Sequence, residues 1–497
     1  MGAYQGGESL TPEDQVLFRG EKESRTRAGM VTVFLLDRAP DWEKVVAAFD
    51  RASREVPRLR QKVVEPTLPT TLARWVVDPD FDLRYHLRRR VSAGDGSHRE
   101  LLDLAEQIAM TPLDLHRPLW VVTFVTGLEG GRAAAISNMS HAVADGAGLV
   151  TMFRQVCDTE RDAPVRPLPL EPVPHDLEPR DLAIAGVKDV PGLTLGLTKT
   201  VVGAGLKSIA DPVGSVGAVA SYAASLGRVV GSFASPGTPS PLLAGRGAAR
   251  RSVTLDLDLP DLRSAAHALG GTVNDAYIAG VCAVLRRYHE AKGVPVDQVP
   301  MAIPVSVRRV DQDHAGGNHW TGLALSAPVG EFDPAARVAR IHETIQAGRE
   351  EPALDVLGTV STVLSLLPGI VFAPALEALT PVDVQASNVM SAPEDIFLAG
   401  AQVIGHYGLG PVPGIAVMFV LVSQSGRAFV TARYDTASIQ DDETFERSLQ
   451  EGFEEVLIAG RPVPKPIATP KQPTRAARVG APAARKKAAK KTTRGAS

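Results

Sequence analysis

Apolar residues in the first 161 positions are spaced in a way that predicts alternating helices and strands. Two segments, MVTVFLLD and LWVVTFVTGL, are rich in β-branched and aromatic residues, which is typical of strands inside a sheet. Ahead of them, Thr11 and Pro12 occupy an N-cap and a first helical position. Between the two strands, the spacing of an amphipathic helix appears at Trp42, Val45, Val46, Phe49 and Ala52.

The second half of the chain repeats this mixture. Helices are predicted at about 260–269, 274–292 and 334–349. Strands are predicted in MAIPVSVR and TGLALSAPV and near 396–405, 414–423 and 427–433. Each half therefore has the elements of a sheet with helices packed on it, and the fold class is α/β of the α+β type.

A linker separates the two halves. Residues 162–180 are proline-rich, and residues 181–235 are weakly charged and rich in Ala, Gly, Val and Ser, which predicts one or two crossover helices broken near Asp211-Pro212. The predicted organisation is an N-terminal domain over 1–161, a linker and crossover over 162–245, a C-terminal domain over 246–462 and a tail over 463–497.

Composition places the chain among soluble globular proteins, with 44% apolar and 22% charged residues over 497 positions. The N-terminus has acidic residues where a secretory signal has an apolar region. The longest uncharged run, 356–376, contains Pro368 and Pro374, so we expect a broken helix, buried or in contact with a membrane, rather than a span. Cys157 and Cys282 are predicted to be buried thiols, as in a cytoplasmic protein.

Charge is distributed unevenly. Residues from 461 onward contain eleven Lys/Arg and no acid, whereas residues 1–460 carry a net charge of −14. The tail has no large apolar residue beyond Val479, so it cannot bury a core and we expect it to be disordered. We predict that it contacts an anionic membrane surface or lipid droplet. The alternatives are a tail that only confers solubility, or one that binds nucleic acid.

The candidate chemistry centres on His141, in the segment SHAVADG at the end of a predicted strand. A histidine with an ordinary pKa near 6.5 is mostly neutral at pH 7 and can accept a proton. Gly146 and Gly148 allow a tight turn and close approach of a substrate. Asp145 could orient the imidazole or hold the loop by pairing with an arginine, and we favour the second role. The alternative is a surface histidine and aspartate on an ordinary turn.

Competing chemistries lack their motifs. The chain has no GxSxG nucleophile elbow and no phosphate-binding P-loop. His314 and His319 have no carboxylate or cysteine at ligand spacing, so no metal is predicted. Basic and aromatic residues do not alternate as in a nucleic-acid groove, so nucleic acid is not a predicted substrate.

A series of short motifs covers roughly residues 9–460. LTPEDQVLF, DPDFDLRYHLRR, TPLDLHRPLW, GLEGGR and SHAVADG follow one another in the first half. TVNDAYIAGV, IPVSVR, Gly317-Asn318, SNV at 387–389 and LAGAQVIGHYGLGPV follow in the second half. In this order the motifs resemble those of bacterial wax ester synthase/diacylglycerol acyltransferases, which are members of the coenzyme A-dependent acyltransferase superfamily.

The resemblance implies two chloramphenicol-acetyltransferase-like domains with mixed sheets, joined by a helical crossover and enclosing a tunnel. It implies transfer of a long acyl chain from acyl-CoA to diacylglycerol or a fatty alcohol. Acyl-CoA would be a substrate, and no cofactor is expected. With the basic tail, it implies a cytoplasmic enzyme at the periphery of the inner membrane or of lipid droplets.

The resemblance also assigns roles to residues. His141 would deprotonate the hydroxyl, and Asn274 would donate to the oxyanion, with an ordinary helix cap by Asn274 or Asp275 as the alternative. Asp145 would be structural, with Arg308 as its partner or as a solvated arginine. The residues expected to support the site are Ser140, Asp145, Gly146, Asp275 and Arg308. The candidate substrate contacts are Trp120, Ser387 and Asn388, although Trp120 is better explained as a core residue.

Two departures from the family pattern affect the expected function. The family usually has two adjacent histidines, and the first position here is Ser140. The family's SNVPGP-like run is SNVMSA here, without the rigid proline turn. Both departures leave His141, the proton-accepting residue, in place, but they are expected to affect how the substrates are positioned. They motivate two alternatives: a non-catalytic lipid-binding or lipid-droplet protein, and an acyltransferase for another alcohol or an amine.

Overall fold

A computed structural model describes most of the chain up to Arg461, which ends one compact unit. The described residues are 7–24, 26–67, 71–144, 146–174, 177–188, 237–306, 320–349, 361, 364–365, 367, 369–378, 382–412 and 414–461. The predicted tail over 463–497 and the predicted helix break at Asp211-Pro212 lie outside these residues.

The helices are α1 Pro12–Gly20, α2 Trp42–Glu55, α3 Leu83–His86, α4 His98–Met110, α5 Gly146–Val156, α6 Pro179–Lys188, α7 Leu259–Ala268, α8 Val273–Ala291, α9 Pro334–Arg349, α10 Gly369–Ala378 and α11 Asp442–Ala459. The strands are β1 Glu8–Ser9, β2 Gly29–Leu36, β3 Gln61–Val64, β4 Arg74–Val77, β5 Leu87–Val91, β6 Trp120–Thr126, β7 Ala133–Ser140, β8 Arg250–Asp258, β9 Val299–Ser306, β10 Trp320–Ala327, β11 Val384–Met390, β12 Phe397–Leu398, β13 Ala401–Leu409, β14 Val417–Gln424 and β15 Arg427–Asp435.

The first large sheet has the strand order β12-β13-β2-β7-β6-β5. Its neighbours are antiparallel except β5 and β6. Helix α1 begins as predicted, because the Thr11 side chain accepts the backbone N–H of Asp14 at 3.1 Å and Pro12 occupies the first turn. Strands β12 and β13 come from the second half of the sequence. Local apolar patterns predicted the strands but could not predict that they join this sheet.

The second large sheet has the order β10-β9-β11-β14-β15-β8, with β11 parallel to both β9 and β14. Helix α8 packs between this sheet and α11, and fourteen of its nineteen residues are buried. Gly280 permits this contact, because a Cβ there would lie 2.7 Å from the Phe453 ring. Both sheets contain parallel and antiparallel pairs, as the predicted mixed sheets require. A smaller sheet, β1-β4-β3, flanks the first half.

The two halves meet at several places, and one seam is formed by α4 against β8 and by β13 against β14 and β15. Glu106 of α4 forms a buried ion pair with Arg433 of β15, with Oε2 to Nη2 at 2.9 Å. Ser252 of β8 donates to Oε1 of the same carboxylate at 2.5 Å. Because both charged groups are buried, their mutual hydrogen bonds are needed to offset the loss of water. The seam therefore fixes the halves against each other.

The apolar region around 356–376 is described only in part. Helix α10 begins at Gly369, and Leu364, Leu367 and Phe372 pack in a small cluster with Val16 of α1. Among the described residues no single helix is long and apolar enough to cross a membrane. Only α7 and α8 taken together are, and they are bent by 91°. Cys157 and Cys282 are free and buried, which confirms the prediction for both thiols.

Candidate active site

The end of strand β7 carries His141. Its neighbours β2 and β6 run antiparallel to β7, so their first residues, Gly29 and Trp120, flank its last ones. The backbone N–H of Ser140 donates to the carbonyl of Leu119 at 3.0 Å. His141 follows directly in a turn closed by the Val143 N–H on the Ser140 carbonyl at 3.0 Å. His141 is partly exposed.

The loop after His141 leads into α5, which begins at Gly146. Asp145 lies outside the described residues, as does Arg308. The predicted pairing of Asp145 with Arg308 therefore stays a prediction. Gly146 occupies the first position of α5, the helix that runs from the histidine loop toward the second half.

Ser140 is fully buried and its hydroxyl has two partners. It donates to Oε1 of Glu21 at 2.8 Å and accepts the backbone N–H of Ala142 at 3.3 Å. Glu21 caps the C-terminal end of α1, and its Oε2 lies 4.0 Å from Nε of Arg27. Burial raises the pKa of the Glu21 carboxyl to about 7.

Sequence reasoning missed Glu21. It stands in FRGEKE, between charged neighbours, where an acid ordinarily faces solvent. The sequence did offer one indication, at Ser140, the residue that Glu21 contacts. Ser140 is a polar residue at the end of a buried strand, and a buried hydroxyl requires a partner.

The second half contributes the start of α8. Thr272 is the N-cap, with its side chain accepting the Asp275 N–H at 3.3 Å. The Asp275 carboxylate accepts the Thr272 N–H at 2.8 Å, which completes a capping box. The same carboxylate also contacts Nδ1 of His342 at 2.8 Å. The capping role considered for Asn274 or Asp275 is thus carried out by Asp275 together with Thr272.

Asn274 has a different contact. Its Oδ1 accepts a hydrogen bond from Nδ2 of Asn388 at 3.3 Å. Asn388 lies on β11, beside Ser387, and its side chain is exposed. Helix α5 also packs against β11. The fold therefore brings the helix that follows His141 to the strand whose Asn388 holds Asn274.

Trp120 begins β6 beside the end of β7, but its side chain packs in the core. Its side chain is 1% exposed, and its indole N–H donates to the carbonyl of Leu59 at 2.8 Å. It stacks on His86 with ring centroids 4.4 Å apart and on Phe49 at 6.0 Å. Trp120 is a core residue that supports the start of β6.

A cavity of about 520 Å³ lies at the other end of α5. Its lining includes Arg154, Cys157, Asp158 and Glu394, but not His141. The predicted tunnel between the halves stays a prediction. No cluster of three metal-ligating side chains occurs among the described residues.

Comparison with known proteins extends over nearly the whole chain. The family model of the wax ester synthase/diacylglycerol acyltransferase catalytic domain matches residues 10–277, and that of the WS/DGAT C-terminal domain matches residues 316–457. A Mycobacterium tuberculosis H37Rv protein named as a diacylglycerol O-acyltransferase is 48% identical over 464 residues, covering 92% of this chain and 94% of the relative.

Solved structures share the fold. The wax ester synthase/diacylglycerol acyltransferase from Marinobacter aquaeolei VT8 superposes with a TM-score of 0.61 at 18% identity, covering 91% of this chain and 100% of that one. A starter condensation domain of rhizomide synthetase, in complex with C8-CoA and Leu-SNAC, superposes with a TM-score of 0.54 at 11% identity, covering 92% and 97%. These likenesses confirm the predicted fold class. Together with the matches in sequence, they show that the chain belongs to the wax ester synthase/diacylglycerol acyltransferase family.

Proposed function

We propose that this protein is an acyl-CoA-dependent O-acyltransferase. It transfers a long-chain acyl group to diacylglycerol or a fatty alcohol, with His141 as the general base. The observation that carries the proposal is the position of His141: it is partly exposed, in the turn between β7 and α5, in a chain that belongs to this family. A base must be accessible to two substrates at once, and a strand-end turn is a place where that is possible.

The chemistry requires one proton acceptor and one site for negative charge. His141 takes the hydroxyl proton as the oxygen attacks the thioester carbonyl, and a C–O bond forms. The tetrahedral intermediate then collapses, the C–S bond breaks, and the imidazolium returns its proton to the leaving thiolate of coenzyme A. Atoms and charge balance without a metal or redox group, because the thioester is already activated.

Asn274 is our candidate donor to the oxyanion. Its Oδ1 accepts from Asn388, so its Nδ2 group is the part of the side chain that can donate to a substrate oxygen. It occupies the first turn of α8, a nineteen-residue helix whose N-terminal dipole favours negative charge. A fixed donor of this kind stabilises charge that develops in the transition state.

The test is His141→Ala in the purified full-length protein, with palmitoyl-CoA and a panel of acceptors. The panel contains a diacylglycerol, a fatty alcohol, a short alcohol and an amine. We expect kcat for ester formation to fall by roughly 10²–10⁴, the usual contribution of a positioned acid–base group. His116→Ala makes the same change at an exposed histidine and should leave kcat unchanged. Full turnover in His141→Ala would exclude this mechanism.

The same panel tests the alternatives. A wild-type protein that binds palmitoyl-CoA but forms no ester or amide would be a lipid-binding member of the family. Amide formation that exceeds ester formation would assign an amine acceptor. Free thiol release without an acylated product would indicate hydrolysis and would not support the proposed transfer.

We further propose that the basic tail brings the enzyme to an anionic membrane or lipid-droplet surface. The support is its ten Lys/Arg without an acid, beside residues 1–460, which carry a net charge of −14. Each such residue contributes about 1 kcal/mol near an anionic surface, and salt weakens it. Full-length protein should bind phosphatidylserine vesicles at low salt, whereas a 1–462 truncation should not. Equal binding of the two proteins would contradict this role.

A further inference from the structure

We propose that Glu21 and Ser140 form a positioning pair that fixes the turn carrying His141. The inference rests on the proposed function, because it concerns the residue that acts as base there. Neither side chain is assigned to touch substrate. Both act through the backbone on either side of His141.

The hydroxyl of Ser140 connects the pair to the turn. The group is fully buried, donates to Glu21 at 2.8 Å and accepts the Ala142 N–H at 3.3 Å. Since the Ser140 hydroxyl donates its hydrogen bond to Glu21, a lone pair of the same oxygen accepts the N–H of Ala142. The residue before His141 is thereby tied by its side chain to the residue after it.

Glu21 is placed where an acid is ordinarily unfavourable. It is buried, and it lies at the C-terminal end of α1, where the helix dipole disfavours negative charge. Its only described ion pair, with Arg27, is 4.0 Å long. The raised pKa of Glu21 is the expected result of this placement. Burying Glu21 costs folding free energy, and its carboxyl contacts Ser140, the residue next to the proposed base. The position of Glu21 is therefore better explained by the placement of His141 than by a contribution to the stability of the fold.

Helix α1 itself is firmly held, so Glu21 is a fixed anchor. The Arg19 guanidinium donates to the carbonyls of Leu364 and Ser365 at 3.2 and 2.9 Å, and to that of Leu367 at 2.5 Å. On the other side, the Thr26 hydroxyl donates to the carbonyl of Gly20 at 3.0 Å. The carboxylate thus approaches Ser140 from a helix end that is tied on both sides.

This arrangement accounts for the serine in place of the usual histidine. A short hydroxyl can donate to Glu21 and accept from Ala142 through a single oxygen atom. The departure from the family pattern therefore replaces one polar residue by another that meets both partners, rather than removing a function.

The experiment compares Glu21→Met with Glu21→Gln in the full-length protein. The two side chains have nearly the same size, but only glutamine retains an oxygen that can accept from Ser140. We expect kcat for ester formation to fall about tenfold in Glu21→Met and to stay within about twofold of wild type in Glu21→Gln. KM for palmitoyl-CoA should change by less than about twofold in both, because substrate binding is not affected.

Ser140→Ala tests the pair from the other side. It should lower kcat by a similar factor, and Glu21→Met/Ser140→Ala should be no slower than the slower single variant, because both changes break one connection. Factors that multiply would show independent roles and overturn the proposal, as would wild-type kcat in either single variant. If Glu21→Met does not fold, Ser140→Ala and the Glu21→Gln comparison still decide.

Ser448→Ala is the matched control. It removes a buried serine hydroxyl and its 2.7 Å hydrogen bond to the Thr444 carbonyl within α11, without touching Glu21 or Ser140. It should lower the melting temperature while leaving kcat unchanged, and a tenfold loss there would mean that general loosening explains the effect. His141→Ala separates the two proposals. If it abolishes turnover while Glu21→Met and Ser140→Ala keep the wild-type kcat, only the positioning pair is excluded.

Discussion

The two halves hold their site residues by different physical means. In the first half, the buried, desolvated carboxylate of Glu21 holds the turn at His141 through the Ser140 hydroxyl. In the second half, Asn274 sits on a helix start whose capping box satisfies the backbone N–H groups, and its partner Asn388 is exposed. The first half thus relies on a desolvated ionisable group, and the second half relies on ordinary helix capping. We therefore expect the two halves to respond differently to mutation and to pH.

The largest difference in kcat between variants of the two halves is expected at Asn274. Asn274→Ala should lower kcat by about 10²–10³, the usual loss when one oxyanion donor is removed, with little change in stability because Thr272 and Asp275 cap the helix. Steady-state kinetics and thermal unfolding measure both. Asn274→Asp retains the size but presents a carboxylate, and it should not restore kcat. A wild-type kcat in Asn274→Ala would remove this residue from the mechanism.

The next effect concerns pH and stability at Glu21. Its pKa is raised in the folded protein, from the ordinary 4.5 to about 7, so its contribution to stability is complete below pH 4.5 and is lost as pH rises through 7. The glutamine side chain in Glu21→Gln has no carboxyl proton to lose. The variant should therefore gain stability relative to wild type as pH rises from 5 to 8, by about 3 kcal/mol at most.

Urea unfolding of the two proteins across this pH range checks the sign. Burial lowers the pKa of His86 and His406 to about 4, so both histidines destabilise the folded chain as pH falls from 6.5 toward 4. They do so equally in both proteins, and the difference curve isolates Glu21. A difference that is flat, or that falls with pH, would contradict the buried, ionisable state described for this carboxyl.

The smallest effect is expected at Asn388. Asn388→Ala removes one neutral hydrogen bond of 3.3 Å between side chains near the surface. Such a bond contributes about 0.5–1.5 kcal/mol, so kcat should fall between about twofold and tenfold through a less ordered Asn274. Gln385→Ala, three residues earlier on β11, changes a residue with no proposed role at the site and should leave kcat unchanged. A loss equal to that of Asn274→Ala would assign Asn388 a direct contact with substrate.

Local patterns predicted the elements well because they depend on local physics. The helix predicted at 334–349 is α9, Pro334–Arg349, and the strand predicted at 427–433 lies within β15, Arg427–Asp435. Pairing depends on contacts far apart in sequence. Nothing in the apolar pattern of 396–405 indicates that β13 pairs with β2, over three hundred residues earlier. For that reason the predicted boundary at 246 does not describe which sheet each strand joins.

The candidate site divides in the same way. His141 and Asn274 were found because their motifs are contiguous in sequence. The partners that set their geometry are distant: Glu21 lies 119 residues before Ser140, and Asn388 lies 114 residues after Asn274. Asn388 was predicted only as part of a motif, and Glu21 was not predicted, because its charged neighbours are typical of solvent-facing residues.

The exchange of strand β13 into the first sheet has a consequence for how the polypeptide can be divided. If residues 1–245 were produced alone, β2 would lose the neighbour that pairs with Val31–Leu36, and its backbone would become an open edge. Glu106 of α4 would also lose its ion-pair partner Arg433. A fragment that ends at residue 245 therefore cannot keep the sheet that carries His141 intact, because one of its strands is supplied by the second half of the chain.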